Sequence, residues 1–334
     1  MTSWSTPALL VIGVAAGPHG LDLLSASVLL LLDPGIAMAL AMLGVFVGLS
    51  FDPSQRRILH MFAASGLRTV TTVVVVGGAA LVVGGYRLNP GSLLWLMAIM
   101  FGVCAAVSNV DTDVNADDVL MIVAGGLVVG AVRAPAAGPM LLLVVAFAAV
   151  AIAVAMAGWM LVGQTSSEGE QHVFVVGTLL LLGGAATYLS QSASFAGLLA
   201  GVTWNVARGL SRTRILRDLH YFQHPLVVLG LVSAGASATI SVDAMTLAVI
   251  FVAVRALSRP IDAWMVRWQS RVSPAAELTP SRISAGLVGI ALAFDMVRID
   301  GRPEWGITLL SAVVIGSIVS EVLALLIPAH GSPA

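Results

Sequence analysis

Lysine is missing from this chain: all sixteen basic residues are arginine. A cation held inside the fold must therefore be a guanidinium, which does not give up its proton. Cysteine occurs once, at Cys104, which excludes an intrachain disulfide and any zinc site built on cysteines. Charge of either sign is scarce. Asp, Glu, Lys and Arg make up 10% of the residues, against about 25% in an ordinary globular domain. The net charge of -1 offers no basic surface to nucleic acid. No polar stretch is long enough to fold as a soluble domain of its own. A Gly-x-Ser-x-Gly elbow, a phosphate-binding loop and a zinc-protease motif are all lacking, so the sequence carries no enzyme signature and implies no cofactor.

Apolar residues fill the chain instead: 58% of its 334 residues are hydrophobic, and mean hydropathy is +1.00. A membrane-crossing helix takes about 20 apolar residues, so about twelve would use roughly 240 and leave only short connections. The expected fold class is an all-α polytopic membrane protein of about twelve transmembrane helices, forming one transmembrane domain over residues 1–334. Met1–Gly17 has no basic residue ahead of its apolar run and does not read as a cleavable signal peptide. Hydropathy and breakers place the spans at Pro7–Ala16, Gly35–Phe51, Ser65–Tyr86, Ser92–Val107, a segment ending near Arg133, and Met140–Val162. The rest follow at His172–Leu189, Phe195–Val206, Pro225–Ile240, Ala244–Trp268, Ile283–Val297 and Trp305–Ile327. A further apolar stretch, Leu21–Leu32, is interrupted by Asp22 and Asp33-Pro34 and stands apart from these. Glycine is abundant at 34 residues, with the pairs Gly77-Gly78, Gly125-Gly126 and Gly183-Gly184 inside apolar runs, where small residues let membrane helices pack closely.

Arginine placement orients the chain. Arg56 and Arg57, then Arg208, Arg212, Arg214 and Arg217, then Arg271 and Arg282 follow the second, eighth and tenth spans, and share one side if every span crosses. Arg87, Arg133, Arg298 and Arg302 fall on the other side. The excess puts the first set in the cytoplasm together with both termini, and makes Arg208–Arg217 a cytoplasmic linker.

The most polar place within the apolar sequence runs from Ser108 to Asp118 and holds Asp111, Asp113, Asp117 and Asp118 with no basic residue. Each Asp at a helix centre costs about 2.5–3.5 kcal/mol on insertion scales, so the four cannot face lipid. Two readings stand: a water-exposed loop with an Asp N-cap for the next helix, or the lining of a hydrated cavity. On a helix, Asn109, Asp113 and Asp117 share one face, and Asp111, Asn115 and Asp118 share another. Either face is rich in oxygen. Neighbouring carboxylates raise one another's proton affinity, so a proton and a metal ion would compete for the same atoms.

Arg255 is the second charge inside an apolar run, followed by Arg259 and Asp262. If buried, it needs an anion or carbonyl partner; the alternative is snorkelling to the interface beside Arg259 and Arg267. His220 and His224 have an i,i+4 spacing but no adjacent third ligand, and Pro225 follows directly, so they read as an interfacial pair. Asp295 and Arg298 are spaced to pair locally at a helix end. Glu321 stands in the last span, facing a cavity or hydrogen-bonded to another helix.

Five stretches follow one another in a telling order: Gly17-Pro18-His19-Gly20-Leu21, then Gly35–Asp52 ending Val47-Gly48-Leu49-Ser50-Phe51-Asp52, then Asp117-Asp118-Val119-Leu120. Ser194-Phe195-Ala196-Gly197-Leu198-Leu199-Ala200-Gly201 and Ser311-Ala312-Val313-Val314, leading to Glu321, complete the series. Together they resemble the cation:proton antiporter superfamily, specifically the membrane domain of its monovalent-cation/proton exchangers. The first looks like the family's Gly-Pro-x-Gly-Leu, the second like its next helix with a closing Gly-Leu-x-x-Asp pattern. The third is similar to the paired Asp of the ion-binding helix, the fourth to a Phe-x-Ala-Gly segment, and the fifth to the closing helix. Arg255 falls where the family carries a Lys or Arg across from the Asp pair. The chain departs from the family in being short and in having only residues 108–116 between Val107 and Asp117. The family usually places a broken helix, a linker and a partial helix there, and Thr112-Asp113 is similar to the broken helix's motif compressed against the Asp pair.

The resemblance implies two inverted repeats with broken helices, at about 7–133 and 192–327, linked by helices within 140–189. It implies a core moving against a scaffold that forms a homodimer through the helices around Gly35–Phe51 and mid-chain. It further implies exchange of Na⁺ or K⁺ against H⁺ in a cell (inner or plasma) membrane. Asp118 would be the ion and proton carrier, with Asp117 as partner and Asp113, Thr112 and Asn109 completing the site, while Arg255 neutralises the carboxylates. No metal is implied beyond the transported cation. The competing readings are a non-transporting sensor or complex subunit on a degenerate antiporter fold, with an unnamed protein partner, and an ion channel.

Overall fold

The computed structural model describes residues 5–50, 70–82, 92–106, 116–134, 137–165, 167–207, 210–256, 286–298 and 303–326. Regular structure among the described residues is entirely helical. In chain order the helices are α1 Ser5–Ala16, α2 Ala26–Ser50, α3 Val70–Val82, α4 Ser92–Ala106, α5 Ala116–Arg133 and α6 Ala137–Gln164. Then come α7 Glu168–Tyr188, α8 Ala193–Ala207, α9 Leu210–Ser237, α10 at 242–256, α11 Leu287–Val297 and α12 Pro303–Leu326. Four of them are long and apolar enough to cross a membrane: Ala26–Ser50, Gly138–Gln164, Gly169–Tyr188 and Glu304–Leu323. The outside of the bundle is itself apolar. Leu31 is 80% exposed and Leu142 75%, a surface suited to lipid, where every backbone polar group must be satisfied within the helices.

Two expected boundaries are corrected. Leu21–Leu32 and Gly35–Phe51 are not separate segments, because α2 runs unbroken through Pro34. Likewise α9 begins at Leu210, not at Pro225, which lies inside it. Arg212, Arg214 and Arg217 of the expected linker therefore belong to a helix, while Arg208 lies outside the described residues. Each proline removes one i→i−4 bond, a loss that neighbouring helices in a membrane bundle can absorb. The turn at Gly17-Pro18-His19-Gly20 does stop α1. There the Leu21 N–H bonds the Ala15 carbonyl at 2.7 Å, the Leu24 N–H bonds that of Ala16 at 2.7 Å, and Asp22 takes a φ of 50°.

Close packing begins from glycine. In α2, Gly44 and Gly48 face Gly197 and Gly201 of α8, in matching Gly-x-x-x-Gly spacings. A Cβ on Gly44 would strike the Ser194 carbonyl oxygen, and one on Gly197 would sit 2.7 Å from the Ala41 carbonyl carbon. The two helices thus meet backbone to backbone. By such contacts α1, α2, α6, α7, α8 and α9 form one group. A second comprises α3, α4, α10, α11 and α12, joined by Phe101 of α4 edge-on to Phe251 of α10 and by Gly102 of α4 against Val73 of α3. Helix α5 lies at the seam: Gly125 abuts Leu292 of α11, and Gly126 abuts Phe195 of α8.

Candidate functional site

Among the described residues the buried carboxylates and arginines are Asp118, Asp218, Asp295 and Arg255. Asp118 is fully buried in the first turn of α5, where the positive end of the helix dipole suits a carboxylate. Asp117 shares that turn, with its side chain outside the described set; Asp113, Thr112 and Asn109 lie outside the described residues altogether. Of the expected ion-binding set, then, the structure places the Asp118 side chain, on the α5 seam beside α4.

Arg255 stands near the end of α10 and is 6% exposed. Its Nη1 donates to the Ala105 carbonyl at 3.0 Å, in the last turn of α4, and its guanidinium carbon lies 5.6 Å from the Phe251 ring centroid. The last carbonyls of a helix have no partner within it and form the negative end of its dipole. Arg255 therefore caps α4 from another helix. Of its two sequence readings, the buried one with a carbonyl partner is the one observed. Beside this cap, Gly289 of α11 comes so close to α4 that a Cβ there would sit 2.7 Å from the Cys104 carbonyl oxygen.

Asp295 overturns the expected local pair with Arg298. It accepts hydrogen bonds from Ser192 Oγ at 2.7 Å, Ser194 Oγ at 2.6 Å, the Ala193 N–H at 3.0 Å and the Ser194 N–H at 3.4 Å. Its oxygens thereby cap the start of α8 from α11. Arg298 turns elsewhere, donating through Nη2 to Asp33 Oδ2 and to Thr187 Oγ1, each at 2.7 Å. The physical reason is donor supply: the orphan N–H groups and two hydroxyls at a helix N-terminus offer a carboxylate more bonds than one guanidinium.

A further polar cluster joins α7 to α9. His172 Nδ1 lies 3.1 Å from Asp218 Oδ2, Arg217 Nε lies 3.5 Å from Asp218 Oδ1, and the His172 ring stacks on Tyr221. Arg214 Nη1 and Gln171 Nε2 both donate to the Thr165 carbonyl. His220 and His224 are exposed, with His220 Nδ1 2.7 Å from the Leu216 carbonyl oxygen; among the described residues no three His, Cys, Asp or Glu side chains group as metal ligands. Glu321 is half-buried on α12.

Sequence reasoning missed the Asp295–α8 network and the Asp218 cluster. The first carried a signal, since Ser192-Ala193-Ser194 directly before an apolar run is an N-cap pattern. Its partner lies 103 residues away, with no local mark. Asp218 sits among arginines in sequence and reads as one of a solvated set.

No family model matches the chain, and no curated protein sequence does. Among solved structures, the sodium proton antiporter MjNhaP1 from Methanocaldococcus jannaschii is similar over 96% of this chain and 89% of that chain, with a TM-score of 0.59 and 15% sequence identity. At that identity the likeness is one of fold. The chain is a membrane protein, helical in its described residues, with an antiporter-like fold.

Proposed function

We propose that this protein is a secondary active transporter exchanging Na⁺ or K⁺ for H⁺, and not an enzyme. Asp118 carries cation and proton in turn, assisted by Asp117, with Asp113, Thr112 and Asn109 supplying further oxygens. The observation that carries the reading is Asp118 itself, fully buried at the start of α5. A buried carboxylate at the positive end of a helix dipole offers oxygens for which a proton and a cation can compete. Arg255 keeps the role of fixed positive charge, exerted from the end of α4. The group of α3, α4, α10, α11 and α12 shifts against the group of α1, α2, α6, α7, α8 and α9 to give access from either side. The protein is a homodimer in the cell membrane with both termini in the cytoplasm.

The test is proton flux in proteoliposomes under imposed Na⁺ or K⁺ gradients. Wild type should show cation-dependent flux and Asp118→Asn none; wild-type flux in Asp118→Asn rejects the residue assignment. A periplasmic reporter active after Ala334 would overturn the orientation, and a monodisperse monomer in mild detergent would count against the dimer. The second reading, a non-transporting sensor or complex subunit, is favoured by the short connection between α4 and α5, only residues 107–115. Absence of flux with either cation, in folded and reconstituted protein, would select it.

A further inference from the structure

Where α11 ends, a single turn reaches across to the other helix group with two charged side chains. Asp295, in its last turn, holds the two hydroxyls and two N–H groups at the start of α8. Arg298, the residue that closes α11, holds Asp33 of α2 and Thr187 of α7. Three helices of one group are thus fastened to one short helix of the other, largely by charge-assisted bonds. Besides these, the Thr239 N–H in the α9–α10 connection donates to Ser311 Oγ of α12 at 2.8 Å; apolar contact between the groups is non-directional and survives sliding. Hydrogen bonds do not survive it, since they weaken steeply once distance and angle leave a narrow range.

We propose that Asp295 and Arg298 form a latch between the two helix groups, closed here, which must release before the groups can shift. The inference rests on the alternating-access reading above. Release has a physical order. Arg298 and Asp33 are 12% and 36% exposed, so water can take over their bonds as they part. Asp295 and Ser192 are buried, at 3% and 0%, and their bonds can be replaced only after water has entered. Opening therefore begins at Arg298 and then wets the first turn of α8.

The experiment uses the full chain in proteoliposomes, with Cys104→Ser as background and a membrane-impermeant maleimide supplied on both sides. Ala193→Cys, buried at 2% beside Asp295, reports the latch, and Ala155→Cys, buried at 0% inside the α6–α8 packing, is the control. Arg298→Gln should raise labelling of Ala193→Cys by about tenfold, the change expected for one charge-assisted hydrogen bond, and leave Ala155→Cys slow. The exchange Asp33→Arg with Arg298→Asp should bring labelling back toward that of the parent. Unchanged labelling, an equal rise at both positions, or no recovery in the exchanged pair would each overturn the latch. Labelling is read without any ion gradient. If it behaves as expected while the parent protein shows no cation-dependent flux, the transport reading falls and the opening seam stands.

Discussion

Gly183 and Gly184 are neighbours in α7 and identical to any hydropathy scale, yet replacing each by alanine should change stability in opposite directions. A Cβ at Gly183 would lie 2.7 Å from the carbonyl carbon of Ala37 and 2.9 Å from its Cβ, whereas at Gly184 nothing lies within 4 Å. Alanine is favoured over glycine inside a helix by about 1 kcal/mol, and at Gly184 that gain stands alone. At Gly183 it is opposed by overpacking, which in a tight core costs about 1–3 kcal/mol. The upper part of that range applies, because Ala37 is fully buried in α2 and the obstacle is backbone, with no flexible tip to swing away. The two variants should therefore differ by about 2–3 kcal/mol, with Gly184→Ala above wild type and Gly183→Ala below it. Thermal unfolding in detergent, followed by tryptophan fluorescence, reads the difference. At about 2–4 °C per kcal/mol for chains of 150–250 residues, the midpoints should separate by roughly 4–12 °C. Equal losses in both variants, or the reverse order, would refute the packing of α7 on α2.

Substitutions at three further residues follow from their hydrogen bonds. Trp204→Phe removes the indole N–H that bonds the Ala155 carbonyl at 2.7 Å; because that carbonyl keeps its place in the α6 ladder, the loss should cost about 0.5–1.5 kcal/mol, the net worth of one hydrogen bond, measured as a lowered unfolding midpoint. Arg255→Leu should lower the midpoint more than Arg255→Lys, by about 1–2 kcal/mol, since an ammonium can still meet the α4 carbonyls as a point charge; equal effects would argue against the cap. Asp295→Ala strips α8 of its acceptor and should cost at least the 0.5–2 kcal/mol of a lost N-cap. Asp295→Asn, which keeps one carbonyl oxygen, should cost less, and the reverse order would contradict the observed geometry.

The apolar spans were legible because hydropathy is summed over a whole segment, and helices α6, α7 and α12 fall close to where the sequence puts them. Helix ends were less so. Pro34 and Pro225 read as breakers from local chemistry, but their effect depends on neighbours that no local pattern describes. Arg255 stood out as a charge in an apolar run, though not its partner. The acceptor is a main-chain carbonyl 150 residues away, and every residue offers one of those. The i,i+3 spacing of Asp295 and Arg298 suggested a pair, and the suggestion failed because spacing records only local options. Long-range donors on α8, α2 and α7 won both side chains.

The short helices and the buried charges are two sides of one arrangement. At 1.5 Å per residue, the 11 residues of α11, whose two ends are both described, span about 16 Å, against about 30 Å of hydrocarbon. It cannot cross alone. A helix that stops within the bundle leaves up to four orphan backbone groups, each costing several kcal/mol if unsatisfied in lipid. An ionised side chain buried there is costly too, about 2.5–3.5 kcal/mol on insertion scales, and the two costs offset when the charge bonds the helix end. Arg255 does this for α4 and Asp295 for α8, each with the sign the dipole requires. Asp118 stands at a third such end, the start of α5. The oxygens of Asp295 already hold four donors, and Asp218 lies against Arg217 and His172. Asp118 lies on α5, the helix that packs against both groups, and the exchange of a cation for a proton is proposed for it.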